Sequence, residues 1–181
     1  MKLYTRSGDA GTTALWAGAR TNKESDRIES IGLVDALDAH LGMALALDPA
    51  ADLAPQLEQI QDDLYVAGCD LMAPETNGPG AKVPRLDADR VARLEGWIDQ
   101  LTDQTPPLRN FIHPGGTPAA AALHLARTSC STAERQCHRL AATEVVNVLL
   151  LQYLNRLADY LFVAARFENH REATDERVAT I

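Results

Sequence analysis

The sequence predicts an all-α fold, a single five-helix bundle, and three observations carry that prediction. Long segments repeat apolar side chains at steps of three and four, the period of one helix face. They start at N-cap residues or Pro and stop at breaks rich in Pro and Gly. No stretch of useful length alternates apolar and polar residues as a strand would. Aromatic residues are only 5% of the 181 while Ala and Leu are abundant, so the helices should pack through small aliphatic side chains. One domain is expected over 1–181: a loop at 1–22, the bundle at 23–169 and a loose tail at 170–181.

Residues 1–22 read as a loop with a short extended piece at 12–16. A first helix begins between Lys23 and Asp26 and runs to Leu47 on Ile31, Val34, Leu37, Leu41 and Leu45; Asp48-Pro49 ends it. The second spans about 52–72 on Leu53, Leu57, Ile60, Leu64 and Ala67, and a Gly- and Pro-rich loop follows. Asp87 is the expected N-cap of a third, about 88–103, with Val91, Leu94, Trp97, Ile98 and Leu101 inward. Thr117-Pro118 is a helix entry, N-cap then N1, and the fourth helix runs to about 142. Its seam, Leu123, Ala126, Cys130, Ala133, Cys137 and Leu140, makes the two cysteines small core residues. The fifth, about 144–169, is apolar almost all round and is expected at the centre.

Composition excludes several functions. A formal net charge of −8 speaks against a nucleic-acid or anionic-lipid surface. The apolar run 145–166 is interrupted by Gln152, Asn155, Arg156 and Asp159, so no membrane span is expected. Three cysteines without a C-x-x-C pair fit a reducing cytoplasm, and no targeting peptide is read before Tyr4. No Glu-x-x-His pair, H-E-x-x-H, zinc spacing or Walker loop occurs.

The chemistry concentrates first in Tyr4-Thr5-Arg6-Ser7-Gly8-Asp9-Ala10-Gly11-Thr12-Thr13. Gly8 and Gly11 let backbone approach a ligand, and N–H groups with Ser and Thr hydroxyls suit phosphate. Lys23 follows as a mobile positive charge. Polar side chains also fall where a bundle should be dry: Asp35 at the edge of the first helix's stripe, a row from His124 and Arg127 to His138 on the fourth, and Gln152, Asn155, Asp159 and Arg166 on the fifth. A carboxylate such as Asp35, if buried, needs a partner, and Arg127 is the candidate. Such a cluster fits a binding site better than pure scaffolding.

These residues resemble a PduO-type ATP:cob(I)alamin adenosyltransferase. The matching segments are 5–12, 27–42 with Asp35, 111–117 leading to Ala126-Arg127-Thr128, and 153–162 with Asn155. The resemblance implies a ferritin-like up-down bundle assembled as a homotrimer with active sites between neighbours. It implies that Thr5, Arg6, Ser7, Gly8, Asp9, Ala10, Gly11, Thr12, Thr13, Ala14 and Lys23 wrap the triphosphate of ATP with Mg²⁺. Ser131, Thr132, Ala133, Glu134, Arg135 and Asn155 would complete the nucleotide site, Glu134 being the one protein candidate for the metal. Asp35 and Arg127 would pair near the reacting centre, and Phe111, with His113 beside it, would meet the corrin ring of cobalamin. A cobalamin reductase and an adenosylcobalamin-dependent enzyme are the further partners implied.

The chain departs from the family pattern at several charges. Ala10 stands where Lys is usual, Ser131 and Thr132 replace consecutive arginines, Ala36 and Asp38 replace Glu and Asn, and His113 replaces an apolar residue. Each charge-assisted hydrogen bond lost is about 1.5–3 kcal/mol. Arg6, Arg20, Arg135 and Arg139 are the residues available to substitute. The departures leave open a nucleotide- or cobalamin-binding carrier without transferase activity, and a purely structural oligomer.

Overall fold

Side chains cap the starts of four of the five helices, and the caps place the helices almost where the sequence predicts. The computed structural model describes residues 4, 6–74, 80 and 82–180. Ser25 accepts from Ile28 N to open α1, Asp26–Ala46. The second helix, α2, Ala54–Met72, begins without a side-chain cap but with Pro in its first turn. Asp87 accepts from Arg90 N before α3, Ala88–Asp103, and Thr117 from Ala120 N before α4, Pro118–Ala141. Asn147 accepts from Leu149 N before α5, Val148–Arg171.

The helix α5 starts later than the predicted 144 because the preceding residues are used otherwise. Arg27, only 2% exposed, donates from Nε to Glu144 (2.8 Å), from Nη2 to the Val145 carbonyl (3.1 Å) and from Nη1 to the Leu71 carbonyl (2.8 Å). A buried guanidinium needs such acceptors, and meeting them holds the turn before α5 out of the helix.

In the packing, α1 lies against α2 and α4, α4 against α5, and α5 against α3. The middle of this series is therefore α4, flanked by α1 and α5, rather than α5 as predicted. On α4, Ala126, Cys130, Ala133 and Cys137 are fully buried, and such small side chains let α1 and α5 approach closely. Leu37 and Leu41 of α1 and Leu154, Leu157 and Leu161 of α5 fill the remaining space; each buried Leu contributes about 1.5–3 kcal/mol. Burial raises the thiol pKa of Cys137 to about 11 and that of Cys130 further, so both are inert core groups. By length and composition α5 could cross a membrane, but Leu150, Leu154, Leu157 and Leu161 on it are buried within the bundle.

Two segments differ from their predicted form. The N-terminal loop contains a small hairpin, β1 (Thr12–Ala14) antiparallel to β2 (Arg20–Asn22), with Thr12 opposite Asn22. The tail, expected to be loose, is pinned. Ala179 N donates to the Phe111 carbonyl and His113 N to the Arg177 carbonyl, each at 2.8 Å, around an Ile112–Val178 bridge. Three-residue strands and isolated bridges lie below what alternation can signal.

A buried ionic knot joins α2, α3 and α5. Asp63, 1% exposed, accepts from Arg90 Nε (3.0 Å), Arg93 and the Tyr153 hydroxyl (2.9 Å). Burial and the adjacent Asp63 carboxylate raise the Tyr153 pKa, keeping it a neutral donor. Replacing Asp63 by Ala strands that hydroxyl, so we expect Asp63→Ala to lower the unfolding free energy by about 1–3 kcal/mol. Urea unfolding measures it, and an unchanged midpoint would remove the knot from the stability of the bundle.

Candidate active site

Successive turns draw the N-terminal loop into a curl. Asp9 N donates to the Arg6 carbonyl (3.3 Å) and Gly11 N to the Gly8 carbonyl (3.2 Å), with Gly11 at φ +81°. Arg20 braces it from the hairpin, donating to the Ser7 carbonyl (2.8 Å) and the Thr12 hydroxyl (2.6 Å). Lys23 joins at both ends: its N–H donates to the Gly11 carbonyl (2.9 Å), and its Nζ would stand 3.3 Å from a Cβ on Gly8. A side chain at position 8 would therefore crowd the ammonium. The structure thus brings Arg6, Ser7, Gly8, Asp9, Ala10, Gly11, Thr12, Thr13 and Ala14 together with Lys23, as the sequence suggested. Thr5 lies outside the described residues. The negative global charge is offset locally by Arg6, Arg20 and Lys23, which suits an anionic ligand.

Behind the loop lies a groove between α1 and α2 of about 360 Å³, lined by Trp16, Asp35, Asp38, Tyr65 and Cys69 among others. Trp16 is 49% and Tyr65 74% exposed, an unusual outward display of large aromatic rings. Asp35, expected at a buried edge, is exposed and faces this groove. The predicted Asp35–Arg127 pair does not form within the chain: no ion pair joins them among the described residues, and Arg127 Nε is buried without a hydrogen-bond partner. The two nonetheless share a level. Asp26 accepts from Gln136 Nε2 (3.0 Å), which sets antiparallel α1 and α4 in register, and nine residues along each helix lead to Asp35 and Arg127. The separation is angular: Asp35 turns to α2, while Arg127 sits one turn from His124 on α4.

A second group of the predicted site residues assembles on the outer side of α4 and α5. Asn155 Nδ2 donates to Glu134 Oε1 (3.0 Å), and Arg135 Nη2 to the Thr132 hydroxyl (3.1 Å). Ser131 and Thr132 spend their hydroxyls on the carbonyls of Arg127 (3.2 Å) and Thr128 (3.0 Å). Ala133 is not a site residue by its side chain; it is fully buried in the α4 seam. Gln152, Asn155 and Asp159 are exposed rather than buried. A polar stripe along an amphipathic helix goes to whichever side the core does not claim.

Phe111 stands 76% exposed beside Leu108, Arg109 and Ala179, at the other end of the bundle, and His113 is exposed two residues on. In an extended segment both side chains share a face. Sequence reasoning missed what holds this segment. Asn169, 1% exposed, accepts from Thr117 N (2.9 Å) and donates to the Gly115 carbonyl (3.1 Å), and Glu168 accepts from Thr117 and from Ala50 N (2.7 Å). The only signal in the sequence is an Asn and a Glu on a strongly apolar helix.

With this geometry established, comparison with known proteins is decisive. The cobalamin adenosyltransferase family profile matches residues 3–168. The chain belongs to that family. A corrinoid adenosyltransferase of Bacillus subtilis (strain 168) is 43% identical, covering 94% of this chain and 88% of that protein. A cobalamin adenosyltransferase of Cupriavidus metallidurans is 44% identical, covering 93% and 88%. A variant PduO-type ATP:corrinoid adenosyltransferase from Lactobacillus reuteri, solved with cobalamin and ATP, superposes with a TM-score of 0.93 at 34% identity, covering 98% of this chain and 96% of that one. The five-helix bundle of this chain is the fold of that adenosyltransferase.

Within the adenosyltransferase bundle, His124 is the buried member of the polar row. It is 2% exposed, both ring nitrogens lack hydrogen-bond partners among the described residues, and its ring meets Phe162 edge-on at 6.1 Å. Burial first, and the Arg127 charge second, lower its pKa from 6.5 to about 4. The unfolded chain therefore binds a proton that the native state refuses between those values. Stability is full above pH 6.5 and falls by up to about 3 kcal/mol as the pH drops to 4. We expect His124→Leu to flatten that slope in denaturant melts across the window; an unaltered slope would show that His124 does not titrate as its burial dictates.

Proposed function

We propose that this chain transfers the 5′-deoxyadenosyl group of ATP to cob(I)alamin, giving adenosylcobalamin and triphosphate. The observation that carries this is the Lys23-anchored glycine loop, built as a phosphate cradle, in a chain that matches the adenosyltransferase family from residue 3 to 168. The cobalt lone pair of Co(I) attacks C5′, the cobalt–carbon bond forms, and the C5′–O bond breaks with its electrons leaving on triphosphate. No proton moves, so the site needs no general base. Its residues need to align two reactants, worth up to about 7–11 kcal/mol in favourable cases, and to stabilise the leaving charge.

Lys23, the loop N–H groups, Arg6 and Arg135 are the cationic and donor groups suited to that charge. Mg²⁺ would arrive with the triphosphate and neutralise part of it. Among the described residues no group of three or more His, Cys, Asp or Glu could hold a metal, and Glu134 is the one carboxylate in the predicted α4 segment 131–135. Phe111 offers an apolar face to the corrin ring, keeping a lower axial ligand off cobalt and easing reduction to Co(I).

The site is proposed to close between copies of the chain in a homotrimer. Lys23 lies near the level of Gln136 on α4, and Phe111 lies before Thr117 at its other end. Those α4 positions are about 28 Å apart at about 1.5 Å per residue, too far for one chain to offer both groups to one ATP and one corrin. Arg127 with a buried orphan Nε, and Asp35 exposed on a groove, are then natural partners across an interface. A cytoplasmic location and exchange with a cobalamin reductase and an adenosylcobalamin-dependent enzyme fit the same reading.

An anaerobic assay with chemically reduced cobalamin and Mg-ATP tests it, and we expect a cobalt–carbon product by absorbance. Tight binding of both ligands without product would instead establish a carrier, the reading favoured by the uncharged Ala10, Ser131 and Thr132. We further expect Lys23→Ala to raise KM for ATP at least about tenfold, the loss of one charge-assisted bond. An unchanged KM would place the triphosphate elsewhere.

A further inference from the structure

Phe111 is an exposed ring with almost nothing packed on it, so only its backbone can aim it. One turn at the end of α5 holds that backbone from both sides. Before Phe111, Arg166 Nη2 donates to the Pro106 carbonyl (2.9 Å), and its Nε engages Glu176 of the tail (3.2 Å). After Phe111, Asn169 binds Gly115 and Thr117 through both ends of its amide. The tail in turn bonds Phe111 and His113, and it is folded back by Thr174 N donating to the Asn169 carbonyl (2.8 Å).

The fit at Asn169 is close. Gly116 has φ +105°, and a Cβ there would lie 1.9 Å from Asn169 Oδ1. The amide occupies the space that glycine leaves open, so any side chain at position 116 would displace Asn169. An amide is also the one group of this size that both donates to a carbonyl and accepts from an N–H across one turn.

We propose that Asn169 is a positioning residue for Phe111: its amide fixes the Gly115–Thr117 turn and so sets where the ring meets the corrin. This rests on the reading of Phe111 given above. Asn169 touches neither substrate and acts only through that segment.

The test uses the full chain with ATP and cobalamin, in a double-mutant cycle of Asn169→Ala and Phe111→Ala. We expect Asn169→Ala to lower kcat about 10- to 100-fold, the cost of a misplaced group near the reaction. KM for ATP should stay within about twofold, because the nucleotide loop is remote. The electron paramagnetic resonance spectrum of bound cob(II)alamin should move towards axially ligated cobalt, in the direction that Phe111→Ala moves it. In the Phe111→Ala background, Asn169→Ala should add less than about twofold. Where Asn169→Ala fails to fold, Asn169→Asp, which keeps the acceptor for Thr117 N and loses the donor to Gly115, carries the same expectations. Wild-type kcat in the Asn169 variant, or a full multiplicative loss on top of Phe111→Ala, would overturn the proposal. If Phe111→Ala alone leaves kcat and the spectrum unchanged, the reading of Phe111 itself falls, and the proposal with it.

Discussion

The close packing of the α4 seam is the constraint on which the rest of the structure depends. Ala126, Cys130, Ala133 and Cys137 present little bulk, so α1 and α5 can both lie against α4. That packing fixes the antiparallel register in which Asp26 meets Gln136 and Arg139. It also turns the later part of the polar row of α4, from Ser131 to His138, outward, where Glu134 meets Asn155 of α5. Larger side chains on the seam would separate the helices and dissolve both relations.

From this register comes a division of labour along the bundle. One end carries the curled loop with Lys23 and Arg20, positively charged against a negative background. The other carries Phe111 and His113 on a segment stitched to the tail. Between them, at one height, Asp35 and Arg127 face different directions. Each is a charge without an ion-pair partner among the described residues of the chain.

Much of this was legible in the residues. Caps at Asp87 and Thr117, the breaks at Pro49 and Pro106, and the Leu123–Leu140 seam define helices through local chemistry, and the structure follows them within a few residues. The loop with Gly8 and Gly11 reads by composition alone as a frayed chain end as readily as an anion site, and only the matching segments elsewhere in the chain favour the second reading. Asn169 and Glu168 were not, because their partners lie more than fifty residues away at Gly115 and Thr117. The pinned tail was hidden for the same reason: a single bridge to Ile112 leaves no periodic mark.

By itself, then, the sequence determined the fold class, most helix ends and the core faces, all of which follow from interactions within a few residues of chain. Only the tertiary structure decided that Asp35 is exposed and apart from Arg127, that Ala133 belongs to the core, and that the end of α5 grips the Phe111 segment. Those outcomes depend on the angle at which a helix presents each side chain to its neighbours. Helical periodicity places residues on a face, but only packing chooses which neighbour that face meets.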